Sequence, residues 1–304
     1  MTDRFDSVDL FGDEIFEDET PPKPSPRQRH QRPRRRGGRG RGETVKRILF
    51  AIPWIIFAIA ITVAGGLVFS LAIAALGIVA LHEFHGMTDS LRPIKRASYI
   101  AVPALVIAAH FGTAFNVLMI LAAAFVLLFF FGANRGHREG VTVSMGVTLL
   151  GIVWIGVPLV HAVLLRELPD HGAALLIDVL VGTFATDTAA YATGRMFGTH
   201  RIARTLSPNK TLEGLVGGFL IGTMAFWFAG LYQDWLSGVD ALMMGAAVAA
   251  LAPIGDLFES MLKRDLGCKD TGRLFGPHGG LLDRLDAVFF TIVVGYYLAI
   301  QLVY

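Results

Sequence analysis

Apolar residues are gathered into long runs along most of this chain, and charged residues fall mainly between those runs. From Ile48 onward, the runs are separated by short stretches that are rich in charge or glycine. A helix needs roughly 20 apolar residues to cross a membrane, so the pattern predicts about nine transmembrane helices. Their predicted bounds are 48–64, 66–84, 98–110, 113–133, 142–165, 173–194, 213–233, 239–262 and 286–303. The predicted fold class is all-α, a polytopic integral membrane protein.

Three regions follow from this pattern. Residues 1–46 hold an acidic block and then an Arg/Pro-rich segment, a composition that cannot bury enough apolar surface to offset chain entropy. We therefore predict a disordered cytoplasmic tail. Residues 47–166 are predicted to form the N-terminal transmembrane helices, and residues 167–304 the C-terminal transmembrane region with the candidate catalytic residues. The N-terminus lacks a basic segment followed by an apolar one, so no cleavable signal peptide is expected.

The composition agrees with a membrane protein and excludes an ordinary soluble domain. Hydrophobic residues make up 53% of the chain and charged residues 17%, with a mean hydropathy of +0.54. The basic segment, residues 27–47, could bind anionic lipid or nucleic acid. The same charges act as a topology signal beside the first helix, which we prefer, so no nucleic-acid partner is expected. A single cysteine, Cys268, excludes a disulfide within the chain.

The lysines and arginines predict the orientation of the chain. If the N-terminus is cytoplasmic, nine spans place 26 of the 27 Lys and Arg residues on the cytoplasmic side, and Arg166 is the exception. Cytoplasmic loops of membrane proteins carry such an excess of positive charge. The sequence therefore predicts a cytoplasmic N-terminus.

Two acidic residues interrupt predicted membrane helices. Asp187 and Asp256 each lie roughly 10 to 12 Å below the cytoplasmic edge of the helix. An intramembrane carboxylate is costly unless it meets a cation, a donor or water, so both are candidate functional residues. Asp256, Ser260 and Lys263 project from one side of the eighth predicted helix, and Glu259 could join its edge. Asp178 points away from Asp187 and is predicted to be bonded locally, outside the site.

Two long cytoplasmic loops, residues 195–212 and 263–285, are chemically suited to phosphate. They combine basic side chains and hydroxyls with glycines that let backbone approach a ligand closely. Asp283 and Asp286 begin the last helix, and oxygen ligands such as these suit Mg²⁺. Basic inner loops or a Gly-rich loop alone are weak signals. The convergence of intramembrane acids, loop acids and loop bases on one side favours a functional site.

The stretch "SMLKRDLGCKDTGRLFGPHGGLLDRLD", residues 260–286, resembles the phosphatidate cytidylyltransferases, the CDP-diacylglycerol synthases. "TDTAAYATGR", "LSPNKTLEG" and "GDLFES" also resemble segments of that family, so the specific resemblance covers about residues 180–290. Gly276-Pro277 stands where the family pattern has Pro-Gly. The matching positions of the long stretch are Ser260, Lys263, Arg264, Lys269, Asp270, Gly272, His278, Gly279, Gly280, Asp283, Arg284 and Asp286.

The resemblance implies the condensation of CTP with phosphatidic acid to CDP-diacylglycerol and pyrophosphate. It implies an all-helical, homodimeric membrane domain that uses Mg²⁺ and a second cation near Asp256 and Asp283. The expected partners are CTP, phosphatidic acid and membrane lipid. The expected location is a bacterial inner membrane, with the site open to the cytoplasm and to the inner leaflet.

The resemblance and the chemistry of the residues together suggest a role for each site residue. Asp256 and Asp283 are assigned to the metal, Lys263 and Lys210 to phosphate charge, and Asp286 to metal support or orientation of Lys263. His278 either protonates pyrophosphate or only caps the loop. The predicted catalytic residues are Lys263, Asp286, His278 and Arg264. The predicted substrate-binding residues are Asp187, Tyr191, Ser207, Lys210, Thr211, Ser260, Lys269, Gly279, Gly280 and Arg284.

Two alternatives belong to other classes. An ion-coupled transporter would explain Asp187 and Asp256 as cation sites, but it does not explain the two polar loops. A CDP-alcohol phosphotransferase would carry a paired-aspartate pattern that this sequence lacks. His82 and His85 in "HEFH" are expected at the membrane interface rather than on a metal.

Overall fold

The structure, a computed structural model, describes residues 41–136, 139–203, 205–272 and 279–304, with backbone alone for residues 41–52. The described residues form long helices and one short 3-10 helix, Asp89–Leu91. Extended pairing in this part of the chain is limited to an isolated bridge between Arg201 and Thr211. The long helices are α1 (Arg41–Ala64), α2 (Gly66–Met87), α3 (Lys95–Phe111), α4 (Ala114–Ala133), α5 (Val141–Arg166), α6 (Gly172–Phe197), α7 (Leu212–Gly230), α8 (Gly238–Asp265) and α9 (Leu282–Leu302).

These helices confirm the predicted fold class. Among the described residues, seven helices are long and apolar enough to cross a membrane, namely all but α1 and α3. Helix α3 has only 17 residues, and the part of α1 that is described with side chains forms a short apolar segment, Pro53–Ala64. The protein is therefore an all-α membrane protein, while the count of nine spans stays a prediction.

Residues 51–304 form one compact unit. Helix α1 begins at Arg41, so residues 41–46, which the sequence analysis assigned to the tail, are helical. A helix that starts ahead of its apolar run keeps its first unpaired N–H groups out of hydrocarbon. Residues 1–40 of the predicted tail lie outside the described residues.

Helix α5 contains one turn of π-helix, Ile152–Gly156, which carries Trp154. Ring centroids of three phenylalanines lie close to that of Trp154: Phe84 at 6.0 Å, Phe258 at 5.4 Å and Phe289 at 6.0 Å. These rings come from α2, α8 and α9, and the edge-on arrangements are favourable for aromatic pairs. The aromatic cluster therefore joins the N-terminal helices to α8 and α9.

Helices α6 and α7 pack closely because small residues face each other. A β-carbon added at Gly218 would lie 2.8 Å from the Ala190 Cβ and 2.9 Å from the Thr186 carbonyl oxygen. In membranes such small residues let two helix backbones approach, since lipid offers no hydrophobic driving force between them. This contact fixes the part of α6 that carries Asp187 against the start of α7.

We predict that Gly218→Ala destabilises the protein by about 1–3 kcal/mol, because the added methyl meets backbone and cannot be relieved by a rotamer change. Gly146→Ala is the matched control, since a β-carbon there would have open space around it. We expect that control to leave stability within roughly 1 kcal/mol or to raise it. Thermal unfolding in detergent measures both, and equal midpoints for the two variants would contradict the close packing.

Candidate functional site

A cavity of about 390 Å³ lies where α6 and α8 end and α7 and α9 begin. Its lining combines carboxylates, two lysines and apolar side chains. The acidic members outnumber the lysines, which are Lys210 and Lys263. The described lining residues are Asp187, Ala190, Tyr191, Ile202, Ser207, Asn209, Lys210, Thr211, Gly214, Leu215, Pro253, Asp256, Leu257, Glu259, Lys263, Asp283 and Asp286.

Lys210 enters the cavity from the loop that precedes α7. Its Nζ lies 2.9 Å from Asp256 Oδ2 and donates to the Pro253 carbonyl oxygen at 3.3 Å. Ser260, one turn beyond Asp256, donates to Asp256 Oδ1 at 3.3 Å. Both oxygens of the Asp256 carboxylate are therefore bonded to polar groups, as a carboxylate within a membrane helix requires.

The loop that carries Lys210 is folded back on the start of α7. The Leu212 N–H donates to the His200 carbonyl oxygen at 2.8 Å, and the Ile202 N–H donates to that of Lys210 at 3.2 Å. The Glu213 carboxylate accepts the backbone N–H groups of Thr199 and His200 at 3.1 and 3.2 Å. These bonds hold the loop against α7, so the backbone that carries Lys210 is fixed in position.

Lys263 lies on α8 between two carboxylates. Its Nζ is 2.8 Å from Asp283 Oδ1 and 3.2 Å from Glu259 Oε2. All three side chains are largely buried, with relative exposures of 16% for Lys263, 13% for Asp283 and 1% for Glu259. A buried lysine is tolerated only with such partners, because an unpaired charge in this environment is costly.

The second carboxylate oxygen of Asp283 is held by the chain around it. Asp283 Oδ2 accepts the Thr271 N–H at 3.0 Å, the Thr271 hydroxyl at 2.9 Å and the Gly280 N–H at 2.8 Å. Asp283 also lies in the first turn of α9, where a negative charge is stabilised by the helix dipole. Gly279 has a φ of +88°, and a β-carbon there would come 2.6 Å from Asp283 Oδ2, so this position favours glycine.

Helix α8 ends in a turn that sets the direction of the following loop. The Cys268 N–H donates to the Lys263 carbonyl oxygen at 2.9 Å, and Gly267 has a φ of +67°, an arrangement common at helix C-termini. Burial raises the pKa of the Cys268 thiol. This free cysteine is therefore protonated at neutral pH and serves as a small turn residue.

Asp187, Asp256 and Asp286 line the cavity together. Carboxylates gathered in one low-dielectric cavity disfavour one another's negative charge. The wall of the cavity near Asp187, Asp256 and Asp286 is therefore suited to a positively charged ligand.

These acids fit a hard divalent cation in donor chemistry. Among the described residues, no group of three or more His, Cys, Asp or Glu side chains is arranged as a metal site. Mg²⁺ needs no such group, since it keeps several waters and is usually bound through one or two carboxylates plus substrate phosphates. Asp256 and Asp286, which line the same cavity, offer two carboxylates of this kind.

Most of the predicted site residues meet in the structure. Ser260 and Gly280 bond to lining carboxylates rather than line the cavity, and Gly279 packs on Asp283. The predicted residues that line the cavity are Asp187, Tyr191, Ser207, Lys210, Thr211, Asp256, Lys263, Asp283 and Asp286.

Three predicted residues lie away from the cavity. Arg264 is exposed and donates to the Leu206 carbonyl oxygen at 3.3 Å, so it braces the neighbouring loop. Lys269 and Arg284 are exposed and are not among the lining residues. His278, Arg204 and Arg273 lie outside the described residues.

Of the two aspartates of α9, Asp283 is the one that bonds to Lys263. The sequence analysis assigned Asp283 to the metal, and Asp286 to metal support or orientation of Lys263. In the structure Lys263 Nζ donates to Asp283 Oδ1, while Asp286 lines the same cavity as Asp256, and the metal assignments stay predictions. The reason is local, because Asp283 is held by the Gly280 and Thr271 N–H groups and is thereby turned toward α8.

Sequence analysis missed Asn209, Thr271 and Glu83. Asn209 lines the cavity beside Lys210, and its place next to a predicted phosphate-binding lysine was an available signal. Thr271 and Glu83 act through bonds to α9. No local pattern indicates those bonds, since Glu83 lies on α2, far away in sequence.

Two other predictions concern residues away from the site. Asp178 is buried and accepts the Gln233 side-chain amide at 2.8 Å, which is the local bonding that was expected. His85 is 2% exposed and lies 2.9 Å from the Ser98 hydroxyl, because α3 packs over this face of α2. Its expected position at the membrane interface stays a prediction.

Comparison with known proteins identifies a family. A model described as the cytidylyltransferase family matches residues 45–302. A phosphatidate cytidylyltransferase of Staphylococcus epidermidis is 27% identical over 262 residues, 84% of this chain and 98% of that protein. A phosphatidate cytidylyltransferase of Thermotoga maritima is 42% identical over 134 residues, 42% of this chain and 49% of that protein. The uncharacterized protein YnbB of Escherichia coli is 34% identical over 184 residues, 59% of this chain and 62% of that protein.

The buried ion pairs of Lys263 lead to a stability prediction. We expect Lys263→Met to destabilise the protein by about 3 kcal/mol, because Glu259 and Asp283 lose their counter-charge inside the bundle. Lys269→Met, on the exposed loop after α8, is the matched control and should change stability by less than roughly 0.5 kcal/mol. Thermal unfolding in detergent compares the two. A Lys263→Met midpoint equal to that of the control would show that the pairs contribute nothing.

Proposed function

This chain belongs to the cytidylyltransferase family, and we propose that it joins CTP to phosphatidic acid, forming CDP-diacylglycerol and pyrophosphate. The observation that carries the proposal is the cavity itself. It places carboxylates and two lysines among membrane helices, at the end of the bundle where the polar loop before α7 contributes to the lining. That setting suits a reaction between a water-soluble nucleotide and a lipid headgroup. The phosphatidate cytidylyltransferases similar to this chain support the choice of substrates.

The charge of the cavity supports a requirement for a divalent cation. CTP and phosphatidic acid are both polyanions, and they would enter a cavity whose described lining holds more carboxylates than lysines. We propose that Asp256 and Asp286 hold Mg²⁺, with Asp187 adding negative charge beside them. When bound, Mg²⁺ neutralises phosphate charge and polarises a phosphoryl oxygen. A second cation, which the family resemblance implies, is part of the same proposal.

The two lysines are proposed to act on the phosphates. Lys210 lies on a loop, and its Nζ is paired with a single carboxylate, that of Asp256. Its side chain can therefore move onto the phosphates of CTP as they bind. Lys263 is fixed by two buried partners, and its fixed charge stabilises the negative charge that develops on the phosphoryl group. Because this charge is already in place, it lowers the activation barrier and no free energy goes into rearranging it during the reaction.

The bond changes need no dedicated strong base. An oxygen of the phosphatidate phosphate attacks the α-phosphorus of CTP, and the bond from that phosphorus to the oxygen bridging the β-phosphate breaks. The electron pair leaves with pyrophosphate. A phosphate monoester is already anionic near neutral pH, so holding the two reactants together and neutralising their charge is the main task of the site.

The apolar part of the cavity is proposed to receive the rest of the substrates. Ala190, Ile202, Leu215 and Leu257 lie in the same lining as the charged groups. Tyr191 is 63% exposed and lines the cavity, so its ring offers a flat face to a base or an acyl chain. A lipid headgroup can therefore reach the charged groups while its chains stay in an apolar setting.

We further propose the location and assembly of the protein. The excess of Lys and Arg in the predicted inner loops supports an orientation with the cavity open to the cytoplasm, and the bacterial phosphatidate cytidylyltransferases similar to this chain support a bacterial inner membrane. Homodimerisation is proposed from the resemblance alone. The ion-coupled transporter is no longer favoured, because the family model covers most of the chain.

The first test of the function is product formation. We expect purified protein in detergent to convert labelled CTP and phosphatidic acid into a labelled lipid only when Mg²⁺ is present. EDTA should abolish the product and excess Mg²⁺ should restore it, because the cavity acids repel the substrates without a cation. Absence of labelled lipid from folded protein with Mg²⁺ would contradict the proposed function, and full activity in EDTA would contradict the cation requirement.

A second test concerns Asp256. We expect Asp256→Asn to lower kcat at least about a thousandfold, since it removes a proposed cation ligand and the partner of Lys210. Asp265→Asn, an exposed acid on the same helix, is the control and should keep kcat within about twofold. Steady-state kinetics with matched amounts of folded protein compare them. Equal kcat values for the two variants would show that Asp256 does not belong to the active site.

A further inference from the structure

One buried carboxylate outside the cavity connects the N-terminal helices to the proposed active site. Glu83 lies on α2 and is 7% exposed. Its Oε1 accepts the Leu281 N–H at 2.9 Å, and its Oε2 accepts the Leu282 N–H at 2.9 Å. The first N–H groups of a helix have no partner within that helix and carry partial positive charge. The Glu83 carboxylate therefore caps the start of α9 from a different part of the chain.

The same carboxylate also reaches the loop that follows α8. The Thr271 hydroxyl lies 3.3 Å from Glu83 Oε2 and 2.9 Å from Asp283 Oδ2. A β-carbon at Gly272 would come 2.5 Å from Glu83 Oε1, and one at Gly280 would collide with the Glu83 carboxylate. Backbone on both sides of residues 273–278 thus packs directly on Glu83. These two glycines were expected to let backbone approach a phosphate, and here they let it approach a carboxylate.

A chain of contacts leads from Glu83 to the lysine of the cavity. Glu83 accepts the N–H groups at the start of α9 and lies against the Thr271 hydroxyl, which donates its one proton to Asp283 Oδ2. The Gly280 N–H also donates to Asp283 Oδ2, and Lys263 Nζ donates to Asp283 Oδ1 at 2.8 Å. Partners of this kind, one contact removed from the reacting groups, fix the orientation of the groups that act. Phe84, the next residue, packs on Trp154 of the aromatic cluster, which keeps this part of α2 in place.

We infer that Glu83 is a positioning residue of the enzyme. By bonding to the start of α9 and packing against the backbone at Gly272 and Gly280, it holds Asp283 and Lys263 where they can act on the substrates. The inference rests on the proposed function for its catalytic consequence. Whether Glu83 anchors the start of α9 can be measured in the folded protein without an assay of enzyme activity. No proton transfer by Glu83 is required.

The first measurement is amide hydrogen exchange in Glu83→Gln. An amide side chain offers one acceptor oxygen, so at least one of the two N–H groups at Leu281 and Leu282 loses its partner. Exchange at these amides should therefore be at least roughly tenfold faster than in the wild type. Asp178→Asn changes an equally buried carboxylate bonded elsewhere in the bundle, and it should leave exchange at Leu281 and Leu282 unchanged.

The second measurement is the split between kcat and KM. Glu83→Gln should lower kcat about 10- to 100-fold, with the KM for CTP within about threefold of wild type, because the displaced group acts in the transition state. Asp178→Asn should keep both constants within about twofold. A merely structural defect would lower the amount of folded protein without lowering kcat per folded molecule.

Thr271 provides a variant that leaves the cap of α9 intact. Thr271→Val should also lower kcat, because it removes the hydroxyl shared by Glu83 and Asp283, and Thr271→Ser should restore it. If Glu83 acts through this hydroxyl, Glu83→Gln combined with Thr271→Val should be no slower than the slower single variant. Losses that multiply in the double variant would contradict the coupling.

The other possible outcomes distinguish a failure of the role inferred for Glu83 from a failure of the proposed function. Unchanged exchange at Leu281 and Leu282 in Glu83→Gln would show that Glu83 does not anchor α9, and faster exchange with unchanged kcat would remove its positioning role. A wild type that forms no lipid product would contradict the proposed function instead. In that case the exchange experiment still decides whether Glu83 anchors the helix.

Discussion

Carboxylates buried among membrane helices must be balanced by positive charge or by N–H and O–H donors, and this cost shapes the end of the bundle that holds the cavity. Asp256 is balanced by Lys210, and Asp283 by Lys263 together with backbone N–H groups. Glu83 is balanced by the start of α9. The Asp256–Lys210, Asp283–Lys263 and Glu83–α9 contacts join residues that are distant in sequence, so the charge requirement also determines which elements meet.

The cavity differs from a simple phosphate-binding cradle. Of the basic residues at the end of α8, Arg264 donates to the neighbouring loop and Lys263 is paired with carboxylates. The described lining of the cavity holds an excess of acid. An acid-rich wall binds a nucleotide only with a cation between them, and this makes the proposed Mg²⁺ a part of substrate recognition as well as of chemistry. The two lysines then supply the positive charge that the chain itself contributes.

The sequence predicts the helices and the main site residues but not the pairing among them. Hydropathy locates each helix from α2 onward within a few residues, because lipid demands long apolar runs. Helical periodicity places Asp256, Ser260 and Lys263 on one side of α8, and the structure bonds Ser260 to Asp256. Periodicity cannot say which aspartate of α9 faces Lys263, because that depends on the turn at Gly279 and Gly280. Glu83 is beyond any local pattern, since its partners lie almost 200 residues away.

The central claim is that the acids beside Lys210 take up a divalent cation together with CTP. A crystal of the protein soaked with CTP and Mn²⁺, with data collected at the manganese absorption edge, tests it most directly. The account predicts an anomalous peak within coordination distance of carboxylate oxygens of Asp256 and Asp286 and of a CTP phosphate, with Lys210 moved from Asp256 toward the nucleotide. Bound CTP with no cation at these carboxylates, or a cation bound elsewhere in the bundle, would contradict it.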